Sequence, residues 1–370
     1  MTNRSRSNAT AAPGVDTTKL RATPEATARY AQRFGSRFEE LYRTTPFDLR
    51  VSSIGIGTYL GDSTDEDDDL YESAITHAIE HGINLVDTAI NYRCQRSERT
   101  AGSAIQRVIA GGAVSRDQLV VCSKGGYIPL NVTPPASREA YRDYVQREFI
   151  DPEILRPDEI VAGGHSLAPR FLRYCIAKSR QNLGLRTIDV YYLHNPEQQA
   201  ATLDHEDLKD RLRGAMAALE ESASRDEIGV YGCATWDAFR VAPDARDYLS
   251  IEELVTLAHD VGGRDHRFRV VQMPINLAMP EAVRVPTQSM GGKMVTAVEA
   301  AEALGLMVVA SASLMQGRLA SGLPTAVVEA FPGLQSDSQR ALAFARGVPG
   351  VTSALVGMKR REHVSENLGL

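Results

Sequence analysis

Short apolar, β-branched runs alternate with amphipathic helical stretches along most of the chain, and this rhythm constrains the fold more than any other feature. Eight such runs occur, and a helical stretch follows each of them. The alternation predicts parallel strands joined by helical crossovers. Eight such units in one chain favour a closed barrel over an open doubly wound sheet. The predicted strands are 51–58, 84–89, 119–125, 188–195, 228–235, 268–276, 306–314 and 352–358.

The domain organisation follows from the same rhythm. We expect an α/β fold with one domain, a (β/α)8 TIM barrel over residues 47–370, preceded by an extension over 1–46 that is partly disordered or helical. Residues 126–168 interrupt the rhythm after the third strand, which is typical of a large loop over the C-terminal face of a barrel. No GxGxxG follows the first strand and the sequence contains no GxxxxGK[ST], so Rossmann and P-loop folds lose their main support.

Composition excludes several classes of partner. The net charge of -6 argues against nucleic acid and anionic membranes as partners. The sequence has no apolar run near the ~20 residues that span a bilayer, and its start lacks the apolar core of a secretory signal. The four cysteines form neither a CxxC pair nor a zinc-type cluster, which predicts a cytoplasmic protein with no metal site. The acidic run 65–69 is typical of a helix N-terminus.

Polar side chains break the apolar runs at the ends of three consecutive predicted strands. Asp87 ends the second strand, with Tyr92 in the loop after it, and Lys124 and His194 end the third and fourth. In a barrel these positions converge on one mouth. A lysine ammonium can stabilise a phenolate, a carboxylate can hold that lysine, and a histidine can orient a carbonyl. The set predicts a device that exchanges a proton with a carbonyl or alcohol oxygen.

At these residues the sequence resembles the aldo/keto reductase superfamily, (β/α)8 barrels that use a nicotinamide cofactor without a Rossmann domain. By that resemblance Tyr92 is the general acid, Lys124 lowers its pKa, Asp87 pairs with Lys124, and His194 orients the carbonyl. The resemblance covers roughly residues 47–370. The segments that carry it are GINLVDTAINYRCQRSERTAGSAI, SKGG, IDVYYLHNP, YGCATW, VVQMPINL, SASLMQGRL and LVGMKRREHVSENL.

The resemblance also implies a cofactor site, with departures. Ala234-Thr235 stands where many members have Ser-Asn, and Ser311 stands where an aromatic side chain usually stacks under the nicotinamide. Lys359 and Arg360 supply positive charge for a 2′-phosphate, which favours NADPH and leaves NADH possible. The implied cofactor residues are Gly57, Thr58, Asp87, Thr235, Gln272, Ser311, Leu314, Gly317, Lys359, Arg360, His363, Glu366 and Asn367.

Other side chains near the predicted mouth are assigned more simply. Tyr59, Tyr127 and Trp236 are expected to line a substrate pocket. Three arginines, Arg93, Arg96 and Arg99, are expected at the solvated surface. His165 could cap the long loop or enter the pocket, and the sequence leaves both readings open.

The function implied by the resemblance is an NADPH-dependent aldo/keto reductase. It would transfer hydride reversibly between the cofactor and an aldehyde or ketone, acting on CH–OH or carbonyl groups of a small molecule. Two alternatives remain open at this stage: a catalytically weak, cofactor-binding regulatory subunit of the same fold, and a Schiff-base lyase that uses Lys124. The sequence names neither the substrate nor an oligomeric state.

Overall fold

The computed structural model describes residues 20–35 and 41–369. Among these residues eight parallel strands close into a barrel in chain order, with the last strand paired to the first. The strands are β1 (Tyr42–Thr44), β2 (Arg50–Ser52), β3 (Ile54–Gly57), β4 (Leu85–Asp87), β5 (Val120–Gly125), β6 (Ile188–His194), β7 (Ile228–Ala234), β8 (Phe268–Pro274), β9 (Gln288–Met290), β10 (Lys293–Val295), β11 (Met307–Ser311) and β12 (Val351–Gly357).

The barrel consists of β3 to β8, β11 and β12, and it confirms the predicted (β/α)8 class. Two antiparallel hairpins, β1–β2 and β9–β10, lie outside it. The helices are α1 (Pro24–Phe34), α2 (Asp65–Glu80), α3 (Arg96–Ala110), α4 (Arg138–Val145), α5 (Pro169–Leu183), α6 (His205–Ser224), α7 (Ile251–Gly262), α8 (Glu281–Arg284), α9 (Ala297–Ala303), α10 (Thr325–Ala330), α11 (Asp337–Gly347) and α12 (Arg361–Leu368).

The barrel strands are apolar along both faces because both faces are buried. In β6 every residue is buried. Val190 and Tyr192 belong to the inner cluster that fills the barrel, whereas Tyr191 and Leu193 belong to the larger cluster beneath the helices. The period-2 geometry of a strand sends alternate side chains to these two layers.

A buried carboxylate closes the base of the barrel. Asp189, near the start of β6, accepts hydrogen bonds from the backbone N–H groups of Ala22 (2.6 Å) and Val121 (2.8 Å). It also accepts one from Arg116 Nη2 at 2.7 Å. Ala22 directly precedes Thr23, the N-cap of α1. These bonds attach the segment before the barrel to its N-terminal end and leave the carboxyl ends of the strands at the opposite mouth.

The predicted domain boundary at residue 46 falls between β1 and β2, so the hairpin belongs to both predicted parts. Residues 1–19 and 36–40 of the predicted extension lie outside the described residues. In the predicted long loop over 126–168 the structure forms α4 and a following π turn over Gln146–Ile150. Within the described ranges no helix is long and apolar enough to span a membrane.

One close approach in the barrel wall yields a stability prediction. A β-carbon added at Gly232 in β7 would lie 1.7 Å from the carbonyl oxygen of Val270 in β8. The pairing register shifts at the same point, between Tyr231 and Gly232. Since backbone cannot move as easily as a side chain, Gly232→Ala should lower the free energy of unfolding by at least ~2 kcal/mol in urea titrations.

Gly214→Ala is the matched control. Gly214 lies inside α6, and its added β-carbon would meet Pro169 Cγ at an ordinary 3.7 Å. Because alanine favours a helix interior, this substitution should raise the free energy of unfolding by roughly 0.5–1 kcal/mol. Equal unfolding midpoints for wild type and Gly232→Ala would contradict the close approach of the two strands.

Candidate active site

A cleft of about 690 Å³ opens at the carboxyl ends of the barrel strands. Strand pairing brings its floor together, because β4 pairs with both β3 and β5 and places Asp87 beside Gly57 and Cys122. Tyr92 begins an irregular turn, Tyr92–Gln95, that follows β4. Lys124 lies near the end of β5, and His194 is the last residue of β6. The four residues predicted from the strand ends are therefore neighbours.

Lys124 and Asp87 form an ion pair behind the floor of the cleft, where Lys124 is 1% exposed and Asp87 3%. Lys124 Nζ donates to Asp87 Oδ1 and to the carbonyl oxygen of Thr88, the latter at 2.9 Å. Gln272 Nε2 donates to the other carboxylate oxygen of Asp87 at 3.0 Å. Burial lowers the pKa of Lys124, but the opposing effects of Asp87 and Tyr92 together prevail and the net pKa is raised. The lysine is an ammonium at neutral pH.

Tyr92 lies between this ion pair and the open cleft. Lys124 Nζ is 5.1 Å from the centroid of the Tyr92 ring. Burial raises the pKa of Tyr92 and Lys124 lowers it; burial prevails, and the pKa is about 12. The effect of Lys124 has the direction that the resemblance implies, although the net shift is upward. The phenol is protonated at neutral pH and can donate a hydrogen bond or a proton into the cleft.

His194 stands on the other side of Tyr92, with ring centroids 5.7 Å apart. Burial and the nearby Lys124 ammonium hold the pKa of His194 well below its ordinary value, so the imidazole is neutral. Its Nδ1 is buried and has no hydrogen-bond partner among the described residues. A neutral imidazole can donate one N–H to an oxygen in the cleft without adding a second charge beside Lys124.

His165 supports His194 from behind, which settles the two readings left open by the sequence. It is fully buried and does not line the cleft. Its Nδ1 accepts from Gln199 Nε2 at 2.8 Å, so Nε2 carries the proton and donates to the carbonyl oxygen of His194 at 2.8 Å. Burial lowers the pKa of His165 to about 4 and keeps it in this neutral form. The long loop is thereby attached to the end of β6.

The turn after Tyr92 is strained. Arg93, Cys94 and Gln95 have φ angles of 47°, 55° and 68°, in the left-handed region that L-residues rarely occupy. Each such residue costs on the order of 1 kcal/mol, so surrounding contacts must hold the turn. Gln95 Nε2 donates to the carbonyl oxygen of Leu130 at 2.9 Å, which is one of these contacts.

The arginines near this turn correct the expectation of a solvated surface. The Arg93 side chain is 1% exposed and pairs with Asp68 at 2.5 Å. Arg96 pairs with Asp65 at 2.9 Å and also with Asp68. Arg99 is half-buried and donates to Asn131 and Asn182. The expectation was wrong for Arg93 because its partner lies on α2, 25 residues earlier in the chain, where local sequence gives no sign of it.

The predicted cofactor residues lie along the cleft with one exception. Arg360 is exposed and is not among the lining residues, so its role in holding the cofactor stays a prediction. Lys359 lines the cleft, but its ammonium pairs with Asp67 at 2.8 Å. The others that line it are Gly57, Thr58, Asp87, Thr235, Gln272, Ser311, Leu314, Gly317, His363, Glu366 and Asn367.

The predicted pocket residues Tyr59, Tyr127 and Trp236 also line the cleft. Tyr59 is 55% exposed and Trp236 42%, so both present aromatic surface at the mouth. Sequence reasoning missed Asn91 and Asn195, which line it too. Asn91 directly precedes Tyr92, and Asn195 directly follows His194. This adjacency was the signal that could have found them.

Glu197 is a further residue that the sequence did not reveal. It is 5% exposed, and its Oε1 accepts from the backbone N–H of Trp236 at 2.7 Å. Its Oε2 is buried without a partner among the described residues. Burial raises the pKa of Glu197 to about 7, although backbone N–H groups lower it in part. The carboxyl group therefore fixes the backbone of the pocket wall and titrates near neutral pH.

This titration makes stability depend on pH. The folded pKa of Glu197 is about 7 against an ordinary 4.5, so the folded state holds the proton more tightly. Stability from this group is present at low pH and is lost as pH rises from about 4.5 to 7, by about 3 kcal/mol. Glu197→Gln cannot ionise, so its free energy of unfolding relative to wild type should rise by about that amount between pH 4 and pH 8.

The measurement is urea unfolding at a series of pH values. Glu139→Gln, at an exposed site in α4, is the control and should show no such pH-dependent difference. A constant difference between Glu197→Gln and wild type across this range would show that Glu197 does not titrate there in the folded protein.

With the geometry in place, comparison with known proteins identifies the family. Residues 53–251 match the Aldo/keto reductase family, which is more than half of the chain. The chain belongs to this family. The family match includes three strand-end residues and Tyr92, which the sequence had grouped by position.

Two known relatives match parts of the chain. The chain is 28% identical over 165 residues to a D-threo-aldose 1-dehydrogenase from a Pseudomonas species, and the match covers 45% of this chain and 44% of that protein. It is 26% identical over 216 residues to an NADH-specific methylglyoxal reductase from Escherichia coli, covering 56% of this chain and 54% of the relative. The matches thus span about half the length of these relatives.

Solved structures agree on the fold. An aldo/keto reductase from Klebsiella pneumoniae, solved in complex with NADP and acetate, matches with a TM-score of 0.58 at 19% identity, covering 89% of both chains. The glycerol dehydrogenase AKR11B4 from Gluconobacter oxydans matches with a TM-score of 0.59 at 18% identity, covering 88% of both. At these identities the likeness concerns the barrel itself.

Proposed function

We propose that this protein is an NADPH-dependent reductase of a small aldehyde or ketone, an oxidoreductase that also oxidises the corresponding alcohol. The observation that carries the proposal is the buried Lys124–Asp87 pair directly behind a protonated Tyr92, with neutral His194 beside it. Names of two relatives, an aldose dehydrogenase and a methylglyoxal reductase, support the same reaction class. The four cysteines are free and buried, which supports the cytoplasm as the proposed location.

The cleft residues fit a nicotinamide dinucleotide. Thr235 Oγ1 and Asn367 Oδ1 are buried polar atoms without partners among the described residues, and both residues line the cleft at separate points. Such unpaired groups are costly unless a ligand or water satisfies them. Thr235 would serve the nicotinamide end, and Asn367 and Lys359 the adenosine end. NADPH is the proposed cofactor, with NADH possible. When bound, the dinucleotide would supply the hydride or accept it.

Proton delivery is the task of the chain itself. Tyr92 donates its phenolic proton to the carbonyl oxygen of the substrate, and in the reverse direction its phenolate takes the proton of the alcohol. The Lys124 ammonium stabilises the phenolate left behind, and Asp87 keeps that ammonium in place. The neutral His194 ring, through an N–H facing the cleft, orients the carbonyl oxygen toward Tyr92.

The charged state of Lys124 argues against the Schiff-base lyase. A lysine nucleophile must lose its proton, whereas the pairing with Asp87 raises the pKa of Lys124. Ser311 leaves less surface beside the nicotinamide than an aromatic side chain would, and this keeps the regulatory-subunit alternative open. Measurement of turnover distinguishes that alternative from an enzyme. Tight dinucleotide binding without reduction of any carbonyl would favour that alternative.

Tyr92→Phe tests the proposal. Because only the acid is removed, reduction of a panel of small aldehydes and ketones by NADPH should fall at least ~10³-fold. Cofactor affinity should change less than about threefold, since binding does not require the phenolic proton. Turnover is followed by NADPH oxidation, and binding by quenching of Trp236, the single tryptophan of the chain.

Tyr59→Phe is the matched control for this substitution. Its ring packs 5.0 Å from that of Tyr92 and lines the same cleft, but it lacks the neighbouring ion pair. It should retain turnover within about tenfold. Retention of most activity by Tyr92→Phe would refute the assignment of Tyr92 as the general acid.

A further inference from the structure

A carboxylate that the proposed function does not use lies outside the cleft lining and pairs with Lys359, which lines the proposed adenosine end. Asp67, in the first turn of α2, is 6% exposed. Its Oδ1 accepts from Lys359 Nζ at 2.8 Å, and its Oδ2 accepts from the backbone N–H of Asp62 at 2.6 Å. Burial raises the pKa of Asp67, yet the bonds from Lys359 and Asp62 outweigh it and the net pKa is lowered. Asp67 is therefore a fixed, ionised partner of Lys359.

The other acids of this helix start are engaged elsewhere. Asp65 and Asp68 pair with Arg96, and Asp68 also pairs with Arg93. These pairs hold the turn that follows Tyr92. Of the acids in the run 65–69 that form ion pairs, Asp67 alone pairs with a residue just after β12. That residue is Lys359, 292 residues later in the chain. The acidic run thus has a second role besides starting the helix.

Another carboxylate lines the cleft on α12, the helix that follows Lys359. Glu366 lines the same end of the cleft, and its Oε1 accepts from Ser338 Oγ at 2.5 Å. Hydrogen bonds from Ser336 and Ser338 lower the pKa of Glu366, so it too is a carboxylate. Arg360 is exposed and lies outside the lining. Lys359 is therefore already paired with one carboxylate, and Glu366 adds another carboxylate to the cleft lining.

The two dinucleotides differ at this point by one phosphate. A 2′-phosphate carries about -1.5 to -2 charges at neutral pH, and it is stabilised most by a cation that has no other anionic partner. To reach Lys359 it must displace or share the bond that Asp67 already holds. A ribose with a free 2′-hydroxyl meets no such competition and can donate a hydrogen bond to a carboxylate.

We propose that Asp67 is a specificity-determining residue that limits the preference for NADPH over NADH by holding Lys359 away from the 2′-phosphate. The inference rests on the proposed function only in that a nicotinamide dinucleotide binds in this cleft. It concerns affinity at the adenosine end and does not depend on Tyr92 or on turnover.

Asp67→Asn is the direct test, because the side chain keeps its shape and its acceptor for the Asp62 N–H while losing the charge. The released Lys359 should raise NADPH affinity about five- to tenfold, whereas NADH affinity should change less than about twofold. Both dissociation constants are measured by quenching of Trp236 in the full chain. The fragments 2′,5′-ADP and ADP, titrated calorimetrically, should show the same contrast without any nicotinamide.

Two further variants keep the result interpretable. Asp69→Asn removes an equal charge from the same helix turn at an exposed site, and it should leave both affinities unchanged. Lys359→Met removes the cation, so Asp67→Asn should give no gain in NADPH affinity when introduced into Lys359→Met. Thermal melting of each variant shows whether it is folded as wild type is.

The outcomes separate the inference from the proposed function. A selective gain in NADPH affinity that requires Lys359 supports the inference. Parallel changes for both dinucleotides, or equal effects of Asp67→Asn and Asp69→Asn, overturn it while leaving the proposed function intact. Failure of the wild type to bind either dinucleotide overturns both.

Discussion

The buried ion pair between Lys124 and Asp87 is the interaction on which the candidate site depends. Taking both charges out of water is costly, and only close pairing with further hydrogen bonds offsets that cost. Here Gln272 and the carbonyl oxygen of Thr88 supply those bonds. Loss of one partner would leave an uncompensated charge inside the barrel, at a cost of roughly 3–5 kcal/mol. The same pair therefore stabilises the carboxyl end of the barrel and keeps the Lys124 ammonium beside Tyr92.

The residues around Tyr92 hold this arrangement in place. Tyr92 is followed by three residues in the left-handed region, and such a turn persists only where its neighbours determine it. Arg93 and Arg96 bind the acidic start of α2, while Gln95 reaches the long loop after β5. The acid residue of the proposed reaction is thus positioned from two sides, which favours one ring orientation over many.

Much of this could be predicted from sequence, because alternation and strand ends are local signals. The eight runs predicted the barrel, and the break of each run by a polar residue identified Asp87, Lys124 and His194 as neighbours. Local signals were also overlooked. No strand was predicted between 276 and 306, but the hairpin β9–β10, with a Gly291-Gly292 turn, lies there before α9. That pair of glycines is itself a hairpin signal.

Long-range pairing was beyond the reach of the sequence. Arg93 reads as a surface residue until α2 is folded against it, and Glu197 gives no sign that it will bind the backbone of Trp236. Arg360 shows a different limit of the sequence. A charged run suggested that neighbouring side chains share one task, but only Lys359 faces the cleft. Side-chain direction at a helix start depends on tertiary packing that residue type does not encode.

The attachment of His165 to the carbonyl oxygen of His194 has a consequence for how this barrel could diversify. Of the segment 126–168, Tyr127 is the described residue that lines the cleft, and most of residues 131–148 are exposed. Changes of length or sequence beyond Tyr127 would reach the site through the bond between His165 and the backbone of His194, rather than through a wall that touches a substrate. Such a chain can tune its reaction rate and its choice of substrate through separate parts of the molecule, so variation in one need not disturb the other.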